Sequence, residues 1–230
     1  MIIYFALILG GLLSLINYFS DELWIKEKTK RLQAKSFAAG VSLTYIFLHL
    51  LPKAIPLDYD TEIFFAFILI GFVVFNLLEK FIYKSKNIKQ RKIELKEEHT
   101  AIFIIYNFSI GLSLLFFMNQ DMIAGVLFFI PLALHSLLSA SSLRELHYHV
   151  KGDYPIKIFL SITPIMGILL SYFIAFPEVF HRSILGFVAG SLLYVVFREL
   201  IPRGKESYPR YFLFGIIAMI GFLTVGFLGG

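Results

Sequence analysis

Eight apolar stretches of about 20 residues follow one another along the chain, separated by short polar connections. A helix of about 20 residues spans the hydrocarbon core of a bilayer. Charged residues make up only 16% of the sequence, too few for a soluble chain of this length. The sequence therefore predicts an all-α membrane protein with eight transmembrane helices, at about 2–20, 36–56, 62–83, 100–118, 122–143, 156–176, 182–201 and 210–229. The absence of cysteine excludes disulfides, thiolate metal sites and thiol nucleophiles.

The basic residues predict the orientation of these spans. Of the 21 lysines and arginines, 19 lie at connections that follow odd-numbered spans. Only Lys53 and Arg182 lie at connections that follow even-numbered spans. The positive-inside rule therefore places both termini outside the cytoplasm. We expect the protein to lie in the plasma membrane with the lipid bilayer as its main partner. The net charge of +5 follows from this topology, and no nucleic-acid partner is expected.

Two of the spans resemble each other. The stretch FAAGVSLTYIFLHLLP begins at Phe37, and FVAGSLLYVVFRELIP begins at Phe187, so Phe, Gly and Pro recur with an offset of 150. Because the two stretches cross the membrane in opposite directions, they predict an inverted repeat. The single domain 1–230 is then divided into repeat 1 (about 1–84), a central hairpin of helices 4 and 5 (about 100–143) and repeat 2 (about 156–230). The alternative is that the shared residues are only a packing motif, since small residues let membrane helices approach closely.

Polar residues interrupt the two central spans. Asn107 lies in YNFSIGLS and His135 in LHSLLSAS, each near the middle of its span. A very short outer connection joins these spans, so we expect an antiparallel hairpin in which the two residues can face one another. Polar groups in hydrocarbon need a partner or a purpose. Either these groups hydrogen-bond to each other between helices, or His135 binds a metal or relays a proton.

The same stretches resemble the ZIP family of divalent-metal transporters. SFAAGVSLTYIFLHLLPKA is similar to the family's second helix, GFVVFNLLEKF to its third and AGSLLYVVFRELIP to its seventh. YNFSIGLS occupies the place of the fourth-helix motif H-N-x-x-D/E-G, and LHSLLSA that of the fifth-helix motif H-E-x-P-x-E/H. The resemblance covers all eight spans in order. It implies outer termini, inverted three-helix repeats around helices four and five, and a divalent metal as the substrate.

The resemblance also implies where a metal would bind, and the motifs are depleted there. The family holds its metal with His and acidic residues on helices four and five. In this chain Tyr106 replaces the His of the fourth-helix motif and Ile110 replaces its acidic residue. Ser136 and Ser139 replace the acidic residues of the fifth-helix motif. The candidate ligands that remain are His135, Asn107, Ser136 and Ser139, with Glu199 and His49 nearer the membrane ends.

Neutral ligands leave the charge of a divalent ion uncompensated in the bilayer, so tight zinc binding is not expected unless Glu79 or Glu199 reaches the site from the side. Two functions stay open: a metal cation transporter or facilitator with weakened or altered substrate binding, and a non-transporting ZIP-like scaffold or regulatory protein. We do not expect an enzyme, because no serine lies in a nucleophile motif and no carboxylate lies near His135 in sequence. No resident cofactor is expected, and a homodimer is left open.

Overall fold

The computed structural model describes residues 1–19, 25–55, 61–84, 88–147, 154–201 and 207–228. Every regular element in these ranges is helical, as the apolar blocks predict. The elements are α1 (Ile2–Phe19), α2 (Lys28–Tyr45), a π-helical turn (Ile46–Leu50), α3 (Leu51–Ala54), α4 (Thr61–Lys84), α5 (Ile88–Gln120), α6 (Met122–His147), α7 (Tyr154–Phe173), α8 (Glu178–Val195), a second π-helical turn (Val196–Leu200) and α9 (Pro209–Leu228).

The helices are suited to a bilayer. Within the described residues, five are long and apolar enough to cross a membrane: Ile2–Phe19, Lys28–Lys53, Phe103–Gln120, Glu178–Arg198 and Pro209–Gly226. Three further apolar stretches are shorter: Thr61–Leu77, Met122–Leu138 and Lys157–Phe173. Large apolar side chains on the outside of the bundle, such as Leu69 and Ile217, are exposed, as lipid-facing residues are. The chain is therefore an all-helical protein with the properties of a membrane protein.

Two helices extend beyond their predicted spans. α2 begins at Lys28, well before the apolar block that starts near residue 36. α5 begins at Ile88 and runs through the charged segment KQRKIELKEEHT before it reaches the apolar block. Glu, Lys, Gln and Arg are good helix formers, so the backbone remains helical where the sequence becomes polar. Hydropathy predicts the length of chain buried in lipid and not the length of the helix.

Each of the two similar stretches contains a π-helical turn. The N–H of Leu51 donates to the carbonyl of Ile46, and the N–H of Ile201 donates to that of Val196 at 3.0 Å. Both bonds span five residues, and both precede a proline in the sequence, Pro52 in the first stretch. Proline has no N–H to donate and its ring crowds the carbonyl four residues earlier, which favours a wider turn before it.

Glycines bring four helices into close contact in two pairs. α2 packs along α9, and α4 packs along α8. A Cβ added to Gly40 would overlap the backbone of α9 at Phe212, and one added to Gly190 would overlap the backbone of α4 at Ile68. Without a hydrophobic driving force in lipid, such backbone contact contributes much of the attraction between membrane helices.

The remaining long helices form the part of the bundle that holds the polar residues. α5 packs along α7, α1 contacts α5, α6 and α7, and α6 also contacts α2. Gly111 of α5 and Gly167 of α7 each face the backbone of the opposite helix with no room for a side chain. The rings of Phe117 and Phe128 fill the α5–α6 hairpin near its connection, 5.1 Å apart. This close packing fixes the level at which side chains of α1, α5 and α6 meet.

Candidate functional site

A buried hydrogen bond joins α1 to α5. The side-chain amide of Asn17 donates from Nδ2 to Oδ1 of Asn107 at 3.0 Å, and both residues are buried. The Nδ2 of Asn107 in turn donates to the backbone carbonyl of Phe103 at 3.0 Å. Asn107 is thus held in one orientation by its own helix and by a neighbouring one. The sequence predicted Asn107 but missed Asn17.

His135 of α6 lies against Tyr106 of α5. The two ring centroids are 5.9 Å apart with the rings nearly perpendicular, and both residues are buried. Asn107 precedes the end of α5 by about 13 residues and His135 follows the start of α6 by about 13, so both lie about 20 Å from the hairpin connection. The equal depth expected of Asn107 and His135 therefore agrees with the packing. We call Asn17, Tyr106, Asn107 and His135 the polar cluster.

The polar cluster carries donors and acceptors but no carboxylate. Asn supplies amide groups, Tyr a hydroxyl and His an imidazole nitrogen. In the part of the chain that the structure describes, no three His, Asp or Glu side chains are grouped closely enough to hold a metal ion. The cluster's oxygen and nitrogen lone pairs are neutral donors to a cation. It lacks the anionic ligands needed to replace the full hydration shell of Zn²⁺.

The other predicted ligands are placed differently. Ser136 follows His135 and is half-buried. His49 lies in the first π-helical turn, buried, with its ring 5.3 Å from that of Tyr45. This turn is near the α5–α6 connection, where the ammonium of Lys53 is 4.0 Å from the carboxylate of Asp121. The side chains of Ser139 and Glu199 lie outside the described part of the structure. Of the six predicted ligands, the structure therefore brings Asn107 and His135 to one level.

Hydroxyl groups lie between the polar cluster and the α5–α6 connection. Ser109 of α5 donates to the carbonyl of Ile105 at 2.7 Å, so its own helix satisfies it. The hydroxyls of Ser113 on α5 and Tyr45 on α2 are fully buried and have no hydrogen-bond partner among the described atoms. A buried hydroxyl without a partner costs about 1–3 kcal/mol. In the described part of the structure these two hydroxyls are thus buried polar groups that the surrounding helices leave unsatisfied.

The Asn17–Asn107 bond can be measured by a double-mutant cycle. We expect Asn17→Ala and Asn107→Ala each to destabilise the protein, because each leaves a buried amide partner behind. The double variant should cost less than the sum of the two, by about 0.6–1.7 kcal/mol, the range found for hydrogen bonds between membrane helices. Unfolding in mixed micelles, followed by circular dichroism, measures these differences.

The control for this cycle is Asn119→Ala. Asn119 lies on the same helix but is exposed near the hairpin connection. It should show no coupling to Asn17→Ala. If the losses in unfolding free energy caused by Asn17→Ala and Asn107→Ala simply add in the double variant, the hydrogen bond is contradicted.

No protein-family model matches this chain, and no curated protein is similar to it in sequence.

Proposed function

We propose that the chain is a ZIP-like integral membrane protein that carries a metal cation through a site of neutral ligands. The single observation behind this proposal is the buried bond between Asn17 and Asn107, with His135 at the same depth on the facing helix. α1 and α5 thus present amides to each other, and α6 places His135 against Tyr106, the residue next to Asn107. Such groups are expensive in a bilayer and typically mark a solute pathway.

The glycine contacts support the proposed inverted repeat, which alternating access through this site requires. Gly40 faces Phe212 across the α2–α9 contact, and Gly190 faces Ile68 across the α4–α8 contact. The reverse contacts also correspond, since Gly215 faces Phe37 and Gly71 faces Phe187. The α2–α9 contact thus corresponds to the α8–α4 contact, with α2 matched to α8 and α9 matched to α4. Two similar packings related in this way can exchange which side of the site is open.

The proposed topology has eight membrane helices, both termini outside and the cell membrane as the location. It is supported by the basic residues, of which only Lys53 and Arg182 would lie on the outer side. The Arg182 guanidinium donates to the backbone carbonyl of Lys53 at 3.4 Å, so α3 and the start of α8 meet at the end of the bundle that this topology would have outside.

The neutral ligands limit the substrate. Where the ZIP motif carries an acidic residue on the fourth helix, this chain has Ile110, which is buried in the apolar core. A divalent ion would therefore keep part of its hydration shell, or a singly charged ion would be favoured. We propose weak binding and facilitated passage of a cation, and no resident metal.

Flux into proteoliposomes tests this function. We expect wild-type protein to admit at least one cation from a panel of Zn²⁺, Mn²⁺, Co²⁺, Na⁺ and K⁺, read by dyes inside the vesicles. His135→Ala and Asn107→Ala should lower the initial rate by about tenfold or more, since each removes a ligand that the bilayer cannot replace. Asn119→Ala removes the same side chain from an exposed position of α5 and should keep the wild-type rate.

The alternative is a scaffold that does not transport, and one observation favours it. The Tyr106 ring contacts both Phe75 of α4, with centroids 5.6 Å apart, and His135 of α6. An aromatic ring thus covers the imidazole on the side that faces α5. If wild-type vesicles admit none of the cations while the protein remains folded and monodisperse, the scaffold replaces the transporter as the proposed function.

A further inference from the structure

An apolar groove runs between α1 and α7 on the outside of the bundle. Its volume is about 480 Å³, and it extends from the level of Leu7 and Ile165 to that of Tyr18 and Ile158. Along α1 this distance is about 16 Å, the length of a substantial part of an acyl chain. Leu15 and Ile158 on its rim are about half exposed, so the groove opens toward the lipid.

The groove ends at a positive charge. The ammonium of Lys157 lies 4.8 Å from the centre of the Tyr18 ring, and Tyr18 lines the end of the groove. Tyrosine and lysine together are typical of the level of the lipid headgroups. A long apolar groove with a cation at one end therefore has the polarity of a phospholipid whose headgroup is anionic.

Two serines line the groove near that end. Ser161 donates to the backbone carbonyl of Lys157 at 2.7 Å, which satisfies its hydroxyl within α7. The hydroxyl of Ser14 is buried beneath the groove surface and has no partner among the described atoms. The walls of the groove are therefore apolar, formed by residues such as Leu12 and Ile162, and its polar group is the ammonium of Lys157 at one end.

We propose that this groove binds one anionic phospholipid, with an acyl chain between α1 and α7 and the headgroup phosphate at Lys157. The cation favours an anionic headgroup over a zwitterionic one, because basic pockets between membrane helices attract anionic lipids. The groove opens to the hydrocarbon and so receives the chain sideways from the bilayer. The proposal requires only that the chain lies in a membrane, and it does not depend on cation transport.

Native mass spectrometry of the full chain in detergent tests the headgroup contact. Added phosphatidylglycerol should bind in a first, tight adduct, and phosphatidylcholine with the same chains should bind more weakly. Lys157→Gln should weaken the first phosphatidylglycerol adduct about fivefold, the effect of one basic residue near a membrane surface. Arg210→Gln is the matched control, because Arg210 is an exposed cation at the start of α9 and does not line the groove.

A second pair of variants tests the acyl chain. Gly11 lines the groove, and a Cβ added there meets no other atom within 4 Å, so Gly11→Leu fills the groove without disturbing the fold. Gly221 of α9 has equally open surroundings outside the groove. We expect Gly11→Leu to abolish the preference for phosphatidylglycerol and Gly221→Leu to retain it. Equal binding of the two lipids to wild type, or unchanged binding to Gly11→Leu, would overturn the proposal.

Discussion

Gly190→Ala is expected to destabilise the protein by about 3 kcal/mol and to lower its melting temperature by about 6–12 °C. The added Cβ would overlap the carbonyl oxygen of Ile68 and crowd the backbone nitrogen of Phe72 on α4. These are backbone atoms within a helix, so they cannot move aside as a side chain can. The two helices must separate, and the contact along their length is weakened. Size-exclusion chromatography after heating in detergent measures the shift.

The control for this substitution is Gly221→Ala. Gly221 also lies in a membrane helix, but a Cβ there meets nothing within 4 Å. Alanine is the better helix former by about 1 kcal/mol, so Gly221→Ala should be neutral or slightly stabilising. A melting temperature unchanged in Gly190→Ala would show that α4 and α8 do not touch as described.

The proposed repeat adds a further expectation to this experiment. Gly40 is the counterpart of Gly190 and meets the carbonyl of Phe212 on α9 in the same way. Gly40→Ala should therefore also destabilise the protein, by about 1–3 kcal/mol. Destabilisation by Gly190→Ala but not by Gly40→Ala would indicate that the shared Phe-x-Ala-Gly sequence is a packing motif used in two unrelated contacts.

The sequence predicts the helices well because lipid constrains them strongly. A segment that crosses a bilayer needs apolar side chains over about 20 residues. Because lipid cannot hydrogen-bond to the backbone, a single segment can cross only as a helix. Which helix faces contact each other is harder to predict, because apolar residues such as Leu and Phe face both the lipid and the neighbouring helices. Glycine gives the best indication, and Gly40 and Gly190 both mark close contacts in the structure.

The polar cluster could be predicted in part for a related reason. Asn107 and His135 are found because the hairpin has a short connection and equal arms, so sequence distance from the connection gives depth. Asn17 was missed because it lies near the end of the first span, where a polar residue is normal at the membrane surface. Only the packing of α1 against α5 shows that its amide is buried and bonded.

Labelling of single cysteines is expected to give an all-or-none result for the orientation of the helices. The natural sequence has no cysteine, so each introduced thiol is the only one in the chain. Asn119→Cys lies near the α5–α6 connection, and Lys30→Cys lies near the start of α2; both residues are exposed. With the proposed topology, an impermeant maleimide added to whole cells labels the first and not the second. After the membrane is opened, both should react.

Two more positions test the parity of the spans. Arg210→Cys at the start of α9 should behave like Lys30→Cys, because both residues lie at connections that follow an odd-numbered span. Met1 is exposed at the start of the chain, and a cysteine inserted after it should behave like Asn119→Cys. One helix that fails to cross the membrane would reverse every position beyond it. Labelling of Asn119→Cys and Lys30→Cys from the same side would therefore remove the antiparallel relation of the two similar stretches, and with it the inverted repeat on which alternating access depends.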